Sequence, residues 1–189
     1  MSNGGLTPVS YLVLGLVAWG ARTPYDLKQK VARSVGYFWT FPHSQLYAEP
    51  ARLAQLGLLD EEQEQHGRRR RVYTVTEAGH AALEEWLREP TSEAPQMRDT
   101  ALLKLFFGNV LAPHDVVALA RAQEESHHAR LAVYEALDET MPRDGETEFP
   151  RATLRMGLLF ERAFIQFWSS VAADYGSVVS SAPSSSGSL

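Results

Sequence analysis

Apolar positions dominate the chain from Val9 to Trp19, on nearly every side of a helix that opens at Thr7-Pro8, a capping hydroxyl followed by proline at the first helical position. Gly20 stops this helix, and its all-round apolar character predicts burial. Thr23-Pro24 repeats the start signal for a second helix reaching Arg33. Tyr25, Leu27 and Val31 are its expected inward positions, with Tyr25 also able to turn its hydroxyl toward a phosphate. An aromatic loop follows, carrying Tyr37, Phe38, Trp39 and Phe41. A third helix is expected from Pro42, with Leu46, Leu53 and Leu56 on one face and Gly57 as its stop. Pro50 lies inside that helix and removes a backbone hydrogen bond.

Strand-like runs at 59–65 and 69–76 then flank His66-Gly67, a plausible tight turn. A fourth helix, capped by Thr76, runs to Arg88. Helix, helix, helix, ribbon, helix is the layout of a winged helix-turn-helix. Its third helix would read DNA, with His43, Ser44, Gln45 and Tyr47 nearest the base edges. Gln45 can pair with adenine in bidentate fashion, and Ser44 and His43 can bond several bases or phosphates. Beside the ribbon turn stand Arg68, Arg69, Arg70 and Arg71, whose planar forks match anionic oxygens. Strand alternation sends Arg70 outward if Tyr73 and Val75 face the core. The predicted DNA-contacting set is therefore Tyr25, His43, Ser44, Gln45, Tyr47, Arg68, Arg69 and Arg70.

A short linker from Glu89 to Pro95 separates this region from a helical second half, with helices expected at 97–108, 113–141 and 149–175. The last is unusual: Leu154, Leu158, Phe160, Phe164, Ile165, Phe167, Trp168 and Val171 surround much of its circumference. Three helices are too few to cover it, so a second subunit is implied, with Phe160, Phe164, Phe167 and Trp168 as the interface. The same aromatics suit a pocket for a flat organic ligand. The expected organisation is a DNA-binding domain over 1–90, a helical dimerisation domain over 96–176 and a disordered serine-rich tail over 177–189. The fold class is mainly α, with a two-stranded β wing and an α-helical C-terminal dimerisation domain.

Composition narrows the function further. Cysteine is absent, which excludes disulfides and thiolate metal sites. The apolar run at Val9–Trp19 is too short to span a bilayer and no secretory signal is visible, so a cytoplasmic protein is expected. The net charge of −5 sits poorly with DNA until the chain is divided. Residues 1–90 hold 10 basic and 10 acidic side chains, whereas 91–189 hold 8 and 13, so the deficit lies in the second half. A neutral domain still binds DNA when its bases share one surface.

Other chemistry finds little support. His127 and His128 diverge on a helix, and Glu124 with His128 supplies only two of the ligands a metal needs. No phosphate loop, nucleophile elbow or zinc-protease signature occurs, so neither an enzyme nor a cofactor is expected. The rival to a DNA-binding regulator is a protein-interaction module on the same scaffold. The arginine run separates the two, because a protein-binding wing needs no four adjacent charges.

Five segments carry a family resemblance: Tyr11-Leu12-Val13-Leu14-Gly15-Leu16, Tyr25-Asp26-Leu27, Ser44-Gln45-Leu46-Tyr47, Arg52-Leu53 with Gly57-Leu58-Leu59, and Arg71-Val72-Tyr73-Thr74-Val75-Thr76-Glu77-Ala78-Gly79. On these the chain resembles the PadR family of bacterial transcriptional regulators. Leu102-Leu103-Lys104-Leu105-Phe106-Phe107 and Trp168 extend the likeness to the helical C-terminal domain of virulence-activator-like members. The chain departs at Pro24, where the family often has glycine, and at Pro50, where it often has leucine. The resemblance implies a homodimer on a near-palindromic operator, commonly a repressor, which in some relatives is released by phenolic acids or flat drugs.

Overall fold

Helix α1 (Pro8–Ala18) starts where Thr7 and Ser10 close a capping box, Thr7 N–H donating to the Ser10 hydroxyl at 2.8 Å. The computed structural model describes residues 5–32, 34–39, 41–42, 44–63, 70–91, 94 and 96–181. They divide into two units, Met1–Ala94 and Pro95–Leu189.

In the first unit α1 is followed by α2 (Pro24–Ala32), a 3-10 turn at Val35–Tyr37, α3 (Gln45–Gln55), strands β1 (Leu59–Gln63) and β2 (Arg71–Val75), and α4 (Glu77–Arg88). The strands pair antiparallel, from Leu59 opposite Val75 to Gln63 opposite Arg71. The core is built by Val13, Leu14 and Leu16 of α1, Leu27 and Val31 of α2, Leu46 and Leu53 of α3, and Leu59 and Tyr73 of the ribbon. Helix α4 closes it by stacking Trp86 on Tyr11, ring centroids 4.6 Å apart.

Local chemistry fixes the joints. Asp26 accepts the N–H groups of Arg22 and Thr23 while Thr23 accepts that of Asp26, a reciprocal cap for α2. The Tyr73 N–H donates to the Arg22 carbonyl at 2.8 Å, which ties the ribbon to the α2 entry. Thr76 caps α4 at Gly79 N–H and donates its hydroxyl to the Gly57 carbonyl at 2.8 Å. Gly79 has no alternative: a Cβ there would stand 2.1 Å from the Leu58 carbonyl oxygen.

Three sequence expectations need correction. Helix α3 begins at Gln45, three residues after Pro42, whose carbonyl only accepts a turn bond from Gln45 N–H. Leu56 is 48% exposed, because α3 ends at Gln55 and Gly57 turns the chain away at φ +72°. Tyr25 is 64% exposed and leaves the core to Leu27 and Val31. Pro50, by contrast, is accommodated: α3 runs unbroken through it and its ring is buried.

The second unit contains α5 (Thr100–Phe106), a 3-10 turn at Gly108–Val110, α6 (Pro113–Thr140) and α7 (Glu148–Ser181). Asp99 caps α5 by accepting from Ala101 and Leu102 N–H. Helices α6 and α7 pack along their length. His127 and Glu161 are buried between them 2.6 Å apart, and Arg130 reaches the same carboxylate at 3.2 Å. Arg151 of α7 also pairs with Asp138 of α6. The polar stretch of α6 thus contributes a hydrogen-bonded contact buried against Glu161 of α7.

Two expectations fail here. The serine-rich tail does not begin at Ser177, since α7 continues to Ser181; the rest of the proposed tail, 182–189, lies outside the described residues. Trp168 is fully buried within its own chain, against Ala101 of α5 and Val116 and Ala120 of α6, so it cannot lie on a surface offered to a partner. Phe160 and Phe167 are exposed and Phe164 is half-buried. No helix among the described residues is long and apolar enough to cross a membrane.

Candidate nucleic-acid interface

Burial of Leu46, Pro50 and Leu53 turns one face of α3 to the core and leaves its first turn outward. Ser44, Gln45 and Tyr47 are exposed there. Ser44 makes no side-chain cap, so its hydroxyl is not committed to the helix end. Helix α2 packs against α3 and exposes Tyr25, whose hydroxyl accepts from Gln29 Nε2 at 2.7 Å. The described part of the predicted set thus presents uncharged hydrogen-bonding groups at the start of α3, with one phenol on α2. His43 lies outside the described residues.

On the ribbon, Arg70 is exposed, whereas Arg68, Arg69 and the turn between the strands lie outside the described residues. Arg71 differs from its neighbour, since its Nε lies 3.4 Å from Glu61 of β1, which stands opposite Tyr73. Glu61 also accepts the Tyr73 hydroxyl at 3.0 Å. Burial, and then the hydrogen bond to Glu61, push the Tyr73 hydroxyl above its ordinary pKa. Glu61 of β1 is therefore occupied by Arg71 and Tyr73.

One polar group at this site escaped the sequence reading. The buried Ser10 hydroxyl of α1 donates to Glu49 of α3 at 2.6 Å and accepts from Arg52 Nη2 at 3.0 Å. Arg52 also grips Glu49 directly, Nε to Oε2 at 3.0 Å and Nη2 to Oε1 at 2.7 Å. The only sequence signal was a hydroxyl inside the otherwise apolar run of α1. Among the described residues no group of three or more His, Cys, Asp or Glu side chains could hold a metal ion.

Comparison with known proteins places this geometry. Residues 13–85 match the transcriptional regulator PadR-like family, and residues 97–175 match the virulence activator alpha C-terminal family. The negative transcriptional regulator PadR of Bacillus subtilis is 27% identical over 126 residues, covering 66% of this chain and 69% of that protein. The first unit of this chain is thus a PadR-like transcriptional-regulator domain.

Solved structures agree on the fold of this PadR-type regulator. Bacillus subtilis PadR in complex with operator DNA is similar with a TM-score of 0.81 at 23% identity, covering 89% of this chain and 99% of that one. The same protein in complex with p-coumaric acid gives 0.75 at 23%, covering 89% and 98%. The Vibrio cholerae virulence activator AphA gives 0.71 at 27%, covering 90% and 99%. The chain accordingly shares the winged-helix fold of these proteins, and the relatives it matches are transcriptional regulators, a non-enzymatic family.

Proposed function

We propose that this PadR-type regulator is a homodimeric repressor that reads a near-palindromic operator through the first turn of α3. The observation that carries the reading is the outward set Ser44, Gln45 and Tyr47, on a helix whose other face is locked into the core. Gln45 would read a base edge, Ser44 and His43 would choose between base and phosphate, and Arg68, Arg69 and Arg70 would follow the backbone.

The dimer rests on exposed apolar surface. Phe106 and Val110 are 80% and 81% exposed, beside exposed Leu103, Phe107 and Leu111 on α5 and the turn after it. Monomers rarely leave such a group of large apolar side chains in water. With Phe160 and Phe167, they are the surface we assign to the partner copy. A small aromatic effector suits the seam of α6 and α7, where His127 Nε2 and Trp168 Nε1 are buried with no partner among the described residues. The p-coumaric acid complex of the Bacillus subtilis relative supports that ligand class.

Sedimentation with a duplex selected by the protein from a random library, with and without added phenolic acids, tests the proposal. Two protomers on one duplex, released by a phenolic acid, are expected. One protomer per duplex would exclude the dimeric reading, and retention of DNA with every acid would remove the effector.

A further inference from the structure

We infer that Ser10, Glu49 and Arg52 are positioning residues that set the rotation of α3 and thereby the specificity of DNA reading, an inference that rests on α3 as the reading helix. Helix α3 is poorly fixed by its own backbone. Ser44 supplies no side-chain cap, and Pro50 removes the N–H that would bond the Leu46 carbonyl. Apolar contact through Leu46, Pro50 and Leu53 resists separation from α1, but apolar contact is not directional.

The missing direction comes from the polar clasp. Glu49 and Arg52 leave α3 one turn apart, and both end on Ser10, which is fully buried in α1. Ser10 is held in turn by the Thr7 N–H at 2.8 Å, and Arg52 reaches on to the Gly5 carbonyl at 3.4 Å. The clasp is thus anchored at the first turn of α1. Glu49 follows Gln45 by four residues and so shares its stripe of the helix. A rotation of about 10° about the axis would shift a side-chain tip at about 5–6 Å radius by roughly 1 Å, enough to spoil a bidentate base contact. Non-specific attraction to phosphates tolerates such a shift, because it depends on charge more than on alignment.

Ser10 provides the decisive variant, since a fully buried side chain cannot touch DNA itself. Ser10→Ala in the full chain would be assayed on a duplex selected by the wild-type protein from a random library, and on random duplex of equal length. The temperature would be one at which circular dichroism shows the variant folded. The expected result is a loss of about tenfold in the selected-to-random affinity ratio, within the range of one bidentate contact, with random-DNA affinity, salt slope and sedimentation unchanged. Glu49→Gln should act in the same direction. An unchanged ratio for Ser10→Ala, while Gln45→Ala lowers it, would overturn the inference and leave α3 as the reader. Parallel loss on both duplexes would make the clasp merely structural and also overturn it. If the library yields no preferred sequence, or Gln45→Ala is silent, the reading-helix proposal itself falls.

Discussion

Arg52 holds Glu49 with a two-pronged contact, Nε to Oε2 at 3.0 Å and Nη2 to Oε1 at 2.7 Å, one turn along a single helix. The Arg52 hydrogen bonds, against the opposing cost of burial and helped by Ser10, hold the Glu49 carboxyl below its ordinary pKa of 4.5. A depressed folded pKa stabilises the fold above the unfolded value, and that stability is lost as pH falls through the folded value. Glu49→Gln should therefore lower stability at neutral pH by about 1–2 kcal/mol, the difference between charged and neutral hydrogen bonds. The gap between wild type and variant should close below pH 4.5, as urea titrations across pH 3–7 would show. A constant gap would mean that the charge of Glu49 contributes nothing.

Gly79 and Gly15 should respond oppositely to alanine. At Gly79 the new Cβ meets the Leu58 carbonyl at 2.1 Å, so the α4 entry must shift, at a cost of about 1–3 kcal/mol or more. At Gly15, inside α1, a Cβ meets nothing within 4 Å, and a helical glycine costs roughly 0.5–1 kcal/mol against alanine. Thermal melts should move down for the first and up for the second. A neutral Gly79→Ala would show that the ribbon and α4 can slide past each other.

Local signals carried much of the fold. The Thr7-Pro8 and Thr23-Pro24 starts and the Thr76 cap were legible because each depends on neighbours within four residues. Pro42 gave a false start for α3, since proline marks a first helical turn only when the residues after it take up the helix. Trp168 shows a deeper limit. Periodicity reports that a side chain is buried and not which element buries it; α5 and α6 of the same chain do so, although the pattern pointed to a second subunit. The clasp of Ser10, Glu49 and Arg52 was not legible, because its members stand 39 and 42 residues apart. The exposure of Gln45 and Tyr47 followed from the amphipathic face of α3, which turns the remaining side chains outward once Leu46 and Leu53 are inside.

Trp168 and the α5 surface should separate under mutation. Trp168→Ala removes a buried core side chain and should cost about 3–5 kcal/mol. Phe106→Asp with Val110→Asp changes two highly exposed residues and should leave the helical content of the chain intact while dissociating the proposed dimer. Sedimentation together with circular dichroism distinguishes these outcomes. A double variant that remains dimeric would remove α5 from the interface.

The wing should act through charge. Replacing Arg68, Arg69 and Arg70 by alanine should weaken binding to specific and random duplex alike. The log–log salt slope should flatten by about 0.9 for each phosphate that is no longer neutralised. An unchanged slope would place the wing away from DNA.

Gel-shift competition with wild type and Gln45→Ala, on a duplex selected by the wild-type protein and on random duplex, tests most directly whether α3 reads DNA. Wild type should prefer the selected duplex. Gln45→Ala should lose about 1–3 kcal/mol on it and little on random DNA. Equal wild-type affinity for both duplexes, or a Gln45→Ala variant that keeps full preference, would contradict the account.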